Sequence, residues 1–519
     1  MNLIKAMIIM INGDKDNISG VNIKNYKVDK IKNPIIWADF PDPDIIRVDG
    51  IYYMVTTTMH MNPGVPIMKS YDLINWNIVN YVYNTLEAGE KQTLIKGKNS
   101  YGKGSWASSI RYNNGKYYVS FGSYDTNKTY IYQTDNIETG EWKRYELEGV
   151  YRDGSLLFDD DGRVYLVHGG GEIWATELTS DVTSIKKDGF NKVIIENATN
   201  VVGDISGGLV AEGSHIQKIN GKYYIFNIVW PNGGIRTEIV HKADNIEGPY
   251  EGKIVLEQSI VGGIAQGGII DTTAGKWYGM LFEDHGAVGR IPYLIPIIWE
   301  EGWPIFGDVN YTGISVEKLK YSFIDSDEFN ENRNKLKLVW QWNHNPDNRN
   351  WSLIERKGYL RLKNGRKSTN ILDAVNTLTQ RTFGPKCSGS VEIDISNMKN
   401  GDYTGLAAFQ QKYGFVGVKM ENDCKYLIMV QRNLECEKEI ECIPITQNKV
   451  CFRIDFDYED MLDRAYFYYS LSGYVWNKIG QELKLEYTIP HFVGYRFALF
   501  SYATKVIGGY VDFDYFRIE

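Results

Sequence analysis

The chain has 519 residues, of which 43% are hydrophobic and 24% charged, and its formal net charge is −8 at pH 7. This composition is typical of a globular protein with enough apolar residues for a large core. The negative charge and the lack of any basic run argue against nucleic acid as a partner, and no apolar stretch reaches the roughly 18 to 20 residues of a membrane span.

Residues 1–32 are predicted to be an N-terminal lead-in, either poorly ordered or forming a strand that packs late on the domain that follows. The first residues read MNLIKAMIIMINGDKDN, a short apolar run that polar residues soon interrupt and that no small-x-small cleavage site follows. We therefore expect no signal peptide and a cytoplasmic location. The odd number of cysteines, five, favours unpaired core thiols over disulfides.

Between residues 33 and 320, an apolar stretch runs five times into a Gly-centred turn that is followed by a Tyr three residues later. The turn glycines and their tyrosines are Gly50 and Tyr53, Gly115 and Tyr118, Gly162 and Tyr165, Gly221 and Tyr224, and Gly275 and Tyr278. Four of the turns end in Asp-Gly or Asn-Gly, which favour two-residue hairpins. The glycines are 47 to 65 residues apart, a spacing typical of propeller blades. The sequence thus predicts an all-β protein with a five-bladed β-propeller over residues 33–320.

One position recurs eight or nine residues before each turn glycine, where the strand nearest the propeller axis should begin. The residues there are Asp42, Trp106, Asp153, Glu212 and Gln266. Rotation about the axis would bring these side chains together at one end of the central channel. Crowded carboxyl groups repel one another, so at least one should have a raised pKa and keep its proton near neutral pH. A protonated acid facing an ionised one is the pair that glycoside hydrolysis uses.

The composition changes after the fifth repeat. Residues 321–335 are polar enough to form a linker, and residues 336–519 contain short alternating strands without the 50-residue repeat. This pattern predicts a C-terminal β-sandwich of the jelly-roll type. Such a domain would either bind polysaccharide or pack against the mouth of the propeller channel.

These motifs resemble those of glycoside hydrolase family 43, which contains inverting β-xylosidases, α-L-arabinofuranosidases and arabinanases. The segment NPIIWADFPDPDIIR is similar to the one that carries the general base, here Asp42. RDGSLLFDDDGRVYLVHG resembles the segment with the acid that tunes a pKa, here Asp153, and AEGSHIQKINGKYYIF resembles the segment with the general acid, here Glu212. The tail, with WQWNHNPDNRNWSL and GGYVDFDYF, looks like the concanavalin-like domain of the longer β-xylosidase-type members.

The resemblance and the repeat together suggest five substrate-binding residues. Trp106 offers a flat face to a sugar ring, with plain channel filling as the alternative. Arg290, in AVGRIPYLIPIIWEEGWPIFG, matches an arginine that reaches the substrate in many members, and it could equally serve as the counter-charge of the acids. Met59 occupies a position where related xylosidases often have an aromatic wall. His285 and Gln266 are the remaining candidates.

Family members often have a His in blade five near a calcium or sodium ion in the channel, whereas this chain has Ala265 and Gln266 there. We therefore expect no metal site and no required cofactor, with a structural channel ion as the alternative.

The expected activity is that of an inverting exo-glycosidase that releases xylose from the non-reducing end of β-1,4-xylooligosaccharides, with some α-L-arabinofuranosidase activity. The alternatives are α-L-arabinofuranosidase as the main activity and a carbohydrate-binding propeller without turnover. The expected partner is a xylooligosaccharide or an arabinose-substituted oligosaccharide, and a homo-oligomer stays open.

Overall fold

A computed structural model of the chain describes residues 30–203, 205, 208–316 and 322–519. These ranges contain 38 β-strands and no α-helix, and accordingly no helix in them is long and apolar enough to cross a membrane. Four short 3-10 turns cover Ala198–Val201, Gly286–Val288, Ile371–Asp373 and Glu459–Met461. Most of the predicted lead-in, residues 1–29, lies outside the described residues. Its last residues, Lys30–Lys32, form strand β1.

Five four-stranded antiparallel sheets, each built from consecutive stretches of the chain, form the first part of the molecule. Blade one contains β2 (Asp44–Val48), β3 (Ile51–Val55), β5 (Gly64–Ser70) and β6 (Asn77–Tyr83), while the two-residue β4 (Met61–Asn62) leaves the blade between β3 and β5. Blade two contains β7 (Ser108–Asn113), β8 (Lys116–Ser123), β9 (Lys128–Thr134) and β10 (Lys143–Glu148). Blade three contains β11 (Ser155–Phe158), β12 (Val164–Gly170), β13 (Glu172–Leu178) and β14 (Asn191–Ile195).

The last two blades follow the same plan. Blade four contains β15 (Leu209–Ile219), β16 (Lys222–Trp230), β17 (Thr237–Ala243) and β18 (Glu251–Leu256). Blade five contains β19 (Ile264–Asp271), β20 (Trp277–Asp284), β21 (Arg290–Glu300) and β22 (Trp303–Phe306). The first strand of each blade contacts the first strand of the next, and β19 contacts β2. The five inner strands therefore close a ring, and the predicted five-bladed propeller is confirmed.

The five repeats share one turn conformation and one buried tyrosine position in the structure. The five turn glycines all have left-handed backbone angles, with φ between +74° and +82°, a conformation that costs glycine little. Each glycine joins an inner strand to the second strand of its blade. The five tyrosines that follow are all buried, so each ring fills the same place in its blade.

The ends of the propeller are joined by β23 (Tyr311–Ser315), which pairs antiparallel with β1. Asn33, next to β1, accepts a hydrogen bond from the backbone N–H of Leu294 and donates to the carbonyl oxygens of Leu294 and Val309. These contacts tie the start of the propeller to its last blade.

The remaining strands form two packed eight-stranded sheets, which confirms the predicted sandwich. In chain order they are β24 (Gln341–Asn343), β25 (Trp351–Ser352), β26 (Leu360–Lys363), β27 (Leu378–Arg381), β28 (Lys386–Asp394), β29 (Asp402–Phe409), β30 (Gly414–Glu421), β31 (Cys424–Arg432), β32 (Glu437–Ile445), β33 (Lys449–Asp457), β34 (Arg464–Ser470), β35 (Asn477–Lys478), β36 (Leu483–Lys484), β37 (Arg496–Ala503) and β38 (Tyr510–Ile518). One sheet has the order β32-β31-β30-β29-β37-β27-β24-β4, so the propeller supplies its edge strand. The other has the order β25-β26-β38-β28-β33-β34-β35, with β36 paired to β34.

The two parts share one hydrophobic core. A single cluster of buried side chains includes Tyr293 of blade five and Trp340 of the second domain. The predicted linker carries Phe329, which is also buried there, and Asp327, whose backbone pairs with that of Phe516. The five cysteines are free, as expected, but only Cys387 and Cys451 are buried, so the expectation of core thiols was wrong for the other three.

Candidate active site

The repeated strand-entry position has an unusual backbone in three of the five blades. Asp42 and Asp153 lie two residues before their inner strands, whereas Gln266 lies inside β19, where the pairing register shifts. All three have positive φ, at 51°, 48° and 57° respectively. In blade four, Glu212 lies between two register shifts of β15, and the residue after it, Gly213, has φ of 66°. These departures from regular strand geometry occur at the residues whose side chains the repeat predicts to meet.

Two side chains hold the carboxylate of Asp42, and hydrogen bonds to the flanking residues hold its backbone. Its carboxylate accepts hydrogen bonds from the Thr57 hydroxyl at 2.6 Å and from Nη1 of Arg290 at 2.8 Å. Both members of the ion pair are buried, with about 5% of each side chain exposed. The carbonyls of Pro41 and Pro43 accept backbone hydrogen bonds from Thr57 and Gly268. A charge-assisted contact of this kind fixes a carboxylate in one orientation.

Asp153 and Glu212 form an interacting pair beside Asp42. Burial raises the pKa of Asp153 above its usual value, and the nearby charges of Glu212 and Asp42 raise it further. Burial also raises the pKa of Glu212; the guanidinium of Arg152, which contacts the Glu212 carboxylate, opposes that rise. The structure thus brings the three acids to one site, where the pair holds a proton that isolated carboxyl groups would release.

The location of that proton differs from the expectation. The resemblance gives Glu212 the role of general acid and Asp153 that of the acid that tunes a pKa, which implies an ionised Asp153 beside a protonated Glu212. In the structure Arg152 favours the ionised form of Glu212, and Arg236 acts in the same direction. Among the residues that the structure describes, the Asp153 carboxylate accepts one hydrogen bond, from the backbone N–H of Gly213 at 3.2 Å. Burial raises its pKa to about 7, so it is the better holder of a shared proton while no sugar is bound. Arg152 directly precedes Asp153 in the chain. Its positive charge next to a candidate acid was the signal in the sequence that could have indicated its place in the site.

The raised pKa values predict the pH dependence of an activity that needs this proton. The folded pair keeps its proton to higher pH than the unfolded chain does, so its contribution to stability is present at low pH and is lost as the pH rises through the raised pKa.

We expect Asp153→Asn to move the alkaline limb of the kcat/KM profile to lower pH, because Glu212 then lies beside Arg152 without a second acid. The profile of kcat/KM between pH 4 and pH 9 measures the shift.

Asp160→Asn is the matched control, since it removes an exposed acid from a turn of the same blade. Asn also tolerates the left-handed backbone of residue 153. An alkaline limb that Asp153→Asn leaves in place would contradict the coupling of the two acids.

One wall of the site comes from both domains. Trp106 packs against Phe492 of the sandwich, with ring centres 5.5 Å apart, and Phe492 lies over the guanidinium of Arg290 at 4.4 Å. Tyr487 lies in the same loop as Phe492 and contacts its ring, and the Tyr487 hydroxyl interacts electrostatically with the guanidinium of Arg290. Met59 is only 1% exposed and packs behind Trp106, so it supports the wall. No local pattern in the sequence distinguishes Phe492 or Tyr487.

Several buried polar atoms of this wall have no hydrogen-bond partner among the described residues. They are Nε and Nη2 of Arg290, Nε1 of Trp106 and the hydroxyl of Tyr487. Burying such groups without a partner costs about 1 to 3 kcal/mol each.

The other two predicted binding residues, Gln266 and His285, have clear contacts with other parts of the protein. The Gln266 side chain packs under Gly213, where a Cβ atom would come within 2.6 Å of the Gln266 amide carbon, so it supports the backbone that carries Glu212. Its own backbone N–H donates to the buried Glu238 at 2.7 Å. His285 contacts Trp37 edge to face at 5.5 Å, and burial lowers its pKa.

The channel behind the acids is filled by an arginine. Arg111 donates to the carboxylate of Asp44 at 2.6 Å, to the Ser155 hydroxyl at 2.7 Å and to the carbonyl oxygens of Leu156 and Ile216. Burial alone would raise the pKa of Asp44, but Arg111 and His215 lower it. Because Arg111 uses the oxygen atoms that a cation would need, these residues do not fit a calcium or sodium ion. No group of three or more His, Cys, Asp or Glu able to hold a metal occurs within the described ranges.

Family comparisons agree with the two-domain organisation. The family described as "Glycosyl hydrolases family 43" matches residues 31–304, and "Beta xylosidase C-terminal Concanavalin A-like domain" matches residues 326–519. Together they cover both the propeller and the sandwich.

Individual proteins show the same likeness. A Beta-xylosidase of Formosa agariphila is 29% identical over 94% of this chain and 90% of its own length. A Non-reducing end alpha-L-arabinofuranosidase of Bacteroides ovatus is 26% identical over 72% of this chain and 73% of its own. Among solved structures, a bifunctional GH43-CE protein of Bacteroides eggerthii is 52% identical, with a TM-score of 0.91. That match covers 94% of this chain, which spans 64% of the Bacteroides eggerthii chain.

Proposed function

Since the chain belongs to glycoside hydrolase family 43 and is a glycosidase, we propose that it releases xylose from the non-reducing end of β-1,4-xylooligosaccharides with inversion of configuration. The observation that carries the proposal is the meeting of Asp42, Asp153 and Glu212 beside a wall of unpartnered hydrogen-bond donors. Retention of all three acids argues against a propeller that only binds sugar.

In this proposal Asp42 is the general base. Arg290 and Thr57 orient its carboxylate, which takes a proton from the attacking water. Glu212 lies on blade four, whereas Asp42 precedes the inner strand of blade one. Inversion requires the base and the acid to be about 6.5 to 9.5 Å apart, which leaves room for the water. The water oxygen bonds to the anomeric carbon while the glycosidic bond breaks.

Glu212 gives its proton to the departing oxygen. In the free protein Arg152 competes for this carboxylate. A sugar that enters beside Glu212 weakens the Arg152 contact, and the proton shared with Asp153 then moves to Glu212. Asp153 becomes the ionised neighbour that the reaction needs, so substrate binding itself prepares the acid.

The shape of the site supports exo action. Phe492 and Tyr487 close one side of the channel mouth, and Phe492 covers Arg290. A pocket closed on one side accepts the end of a chain, whereas cleavage inside a chain requires an open groove. Trp106 packs against Phe492 on this closed side, so an aromatic face lies beside the place of a terminal sugar.

Proton NMR of xylobiose hydrolysis tests the proposal. We expect α-xylose to appear first and to mutarotate slowly to the equilibrium mixture. Initial release of β-xylose would exclude inversion, and no release of xylose would exclude the substrate.

α-L-Arabinofuranosidase is the second candidate, because xylose and arabinofuranose present similar hydroxyl arrangements to one pocket. Rates on the p-nitrophenyl β-xyloside and α-arabinofuranoside separate the two. We expect the xyloside to be the better substrate, and the reverse order would make arabinofuranoside hydrolysis the main activity.

A further inference from the structure

Two half-exposed aromatic side chains flank the pair formed by Arg152 and Glu212. Tyr124 follows β8 of blade two and is 42% exposed, and Trp230 ends β16 of blade four and is 41% exposed. The fraction of the Arg152 side chain that is exposed, 42%, is similar. These side chains contrast with the buried Asp42 and Arg290, which are 3% and 4% exposed. The site therefore has a closed end at Asp42 and an open end at Glu212.

Tyr124 is placed beside the acids by its contact with Trp106. The two rings meet edge to face, with centres 4.7 Å apart. Burial is the main cause of the raised pKa of the Tyr124 hydroxyl, and the charges of Asp153, Arg152 and Glu212 also act on it. The ring therefore lies close to the pair of Arg152 and Glu212. It thus continues the aromatic wall from the closed end towards solvent.

Trp230 lies two residues beyond Ile228, the residue of β16 that pairs with Glu212. Its indole N–H donates to the carbonyl of Gly234 at 3.0 Å, and the guanidinium of Arg236 lies 5.2 Å from its ring centre. Arg236 forms an ion pair with Asp284, and its positive charge lowers the pKa of Glu212. The indole is therefore fixed in place while much of its surface faces solvent, and a rigid ring loses little entropy when a ligand packs on it.

We propose that Tyr124 and Trp230 form the binding subsite for the leaving-group sugars of a xylooligosaccharide, one on each side of Glu212. This inference rests on the proposed function, in which Glu212 protonates the departing oxygen, so the leaving sugar must lie beside Glu212. Xylose has no hydroxymethyl group, and its ring faces are apolar enough to pack on aromatic side chains. Arg152 is 42% exposed beside Glu212 and its charge also acts on Tyr124, so its guanidinium can donate to the hydroxyls of a sugar bound there.

The test compares two substrates that differ only in the leaving group. Xylotriose extends beyond Glu212, whereas the fluoride of β-D-xylosyl fluoride is too small to reach either ring. We expect Tyr124→Ala and Trp230→Ala each to lower kcat/KM on xylotriose by about fivefold to tenfold, mainly through KM. Turnover of the fluoride should stay within about twofold of the unmodified protein.

Tyr112→Ala is the matched control. Tyr112 lies on the same blade as Tyr124 and is equally exposed, at 42%, but it is next to the hairpin turn at the far end of β7. Equal losses on both substrates, or no loss on xylotriose, would overturn the subsite.

Failure of the proposed function would look different. The unmodified protein would then hydrolyse neither substrate, and calorimetric titration of xylotriose into the protein and both variants would decide the subsite. Weaker binding to the variants supports it, and equal binding overturns it.

Discussion

Glu212→Ala is expected to lower kcat on xylobiose by about 10³, because the departing sugar oxygen then leaves without a proton. On p-nitrophenyl β-xyloside the loss should be much smaller, since p-nitrophenolate is stable enough to leave unprotonated. The ratio of the two losses therefore reports the role of the residue, and steady-state kinetics on both substrates measures it. The fold should be little affected, because Glu212 is only partly buried and Arg152, its partner, reaches solvent.

Glu251→Ala serves as the control, because Glu251 is an exposed acid in the outer strand of the same blade. Similar losses on both substrates would show that Glu212 is not the proton donor. Normal turnover of xylobiose by Glu212→Ala would exclude any direct role.

Asp42→Asn is expected to lower kcat by about 10² or more on both substrates, since the attacking water loses its base whatever the leaving group. Asn accepts the backbone of residue 42, whose φ is 51°. The substitution nevertheless leaves the buried guanidinium of Arg290 without its charge partner. We therefore expect a lower free energy of unfolding, by about 1 to 3 kcal/mol. Kinetics and thermal unfolding together measure the two effects.

Asp49→Asn is a close control for Asp42→Asn. Asp49 belongs to the same blade and also has φ of 51°, but it is exposed in the hairpin turn before Gly50. It should change neither turnover nor stability appreciably. Turnover by Asp42→Asn at the level of Asp49→Asn would remove Asp42 from the role of base.

The propeller and the convergence of its acids were predictable because they depend on local chemistry repeated at a regular interval. A left-handed glycine closes each inner hairpin, and counting back from it reaches Asp42, Asp153 and Glu212. Circular symmetry then converts a shared sequence position into a shared place in space. Neither step requires knowledge of distant contacts.

The second half of the site could not be predicted in this way. Phe492 lies 450 residues after Asp42 and reaches the channel mouth only because the sandwich packs on the propeller. The contact between Arg152 and Glu212 likewise depends on where two blades meet. Long-range packing, and the proton position that follows from it, are not encoded in any single motif.

The donation of β4 to the sandwich makes the structures of the two domains depend on each other. Met61 and Asn62 complete a sheet whose other strands all come from the C-terminal half, where Trp342 pairs with Asn62. A propeller cut from its companion would lose Phe492 over Arg290, and the severed sheet would present β24 as a bare edge prone to self-association. An exchange of one half for that of a relative would therefore have to preserve the pairing of β4 with β24 for the sheet and the Phe492 contact to form.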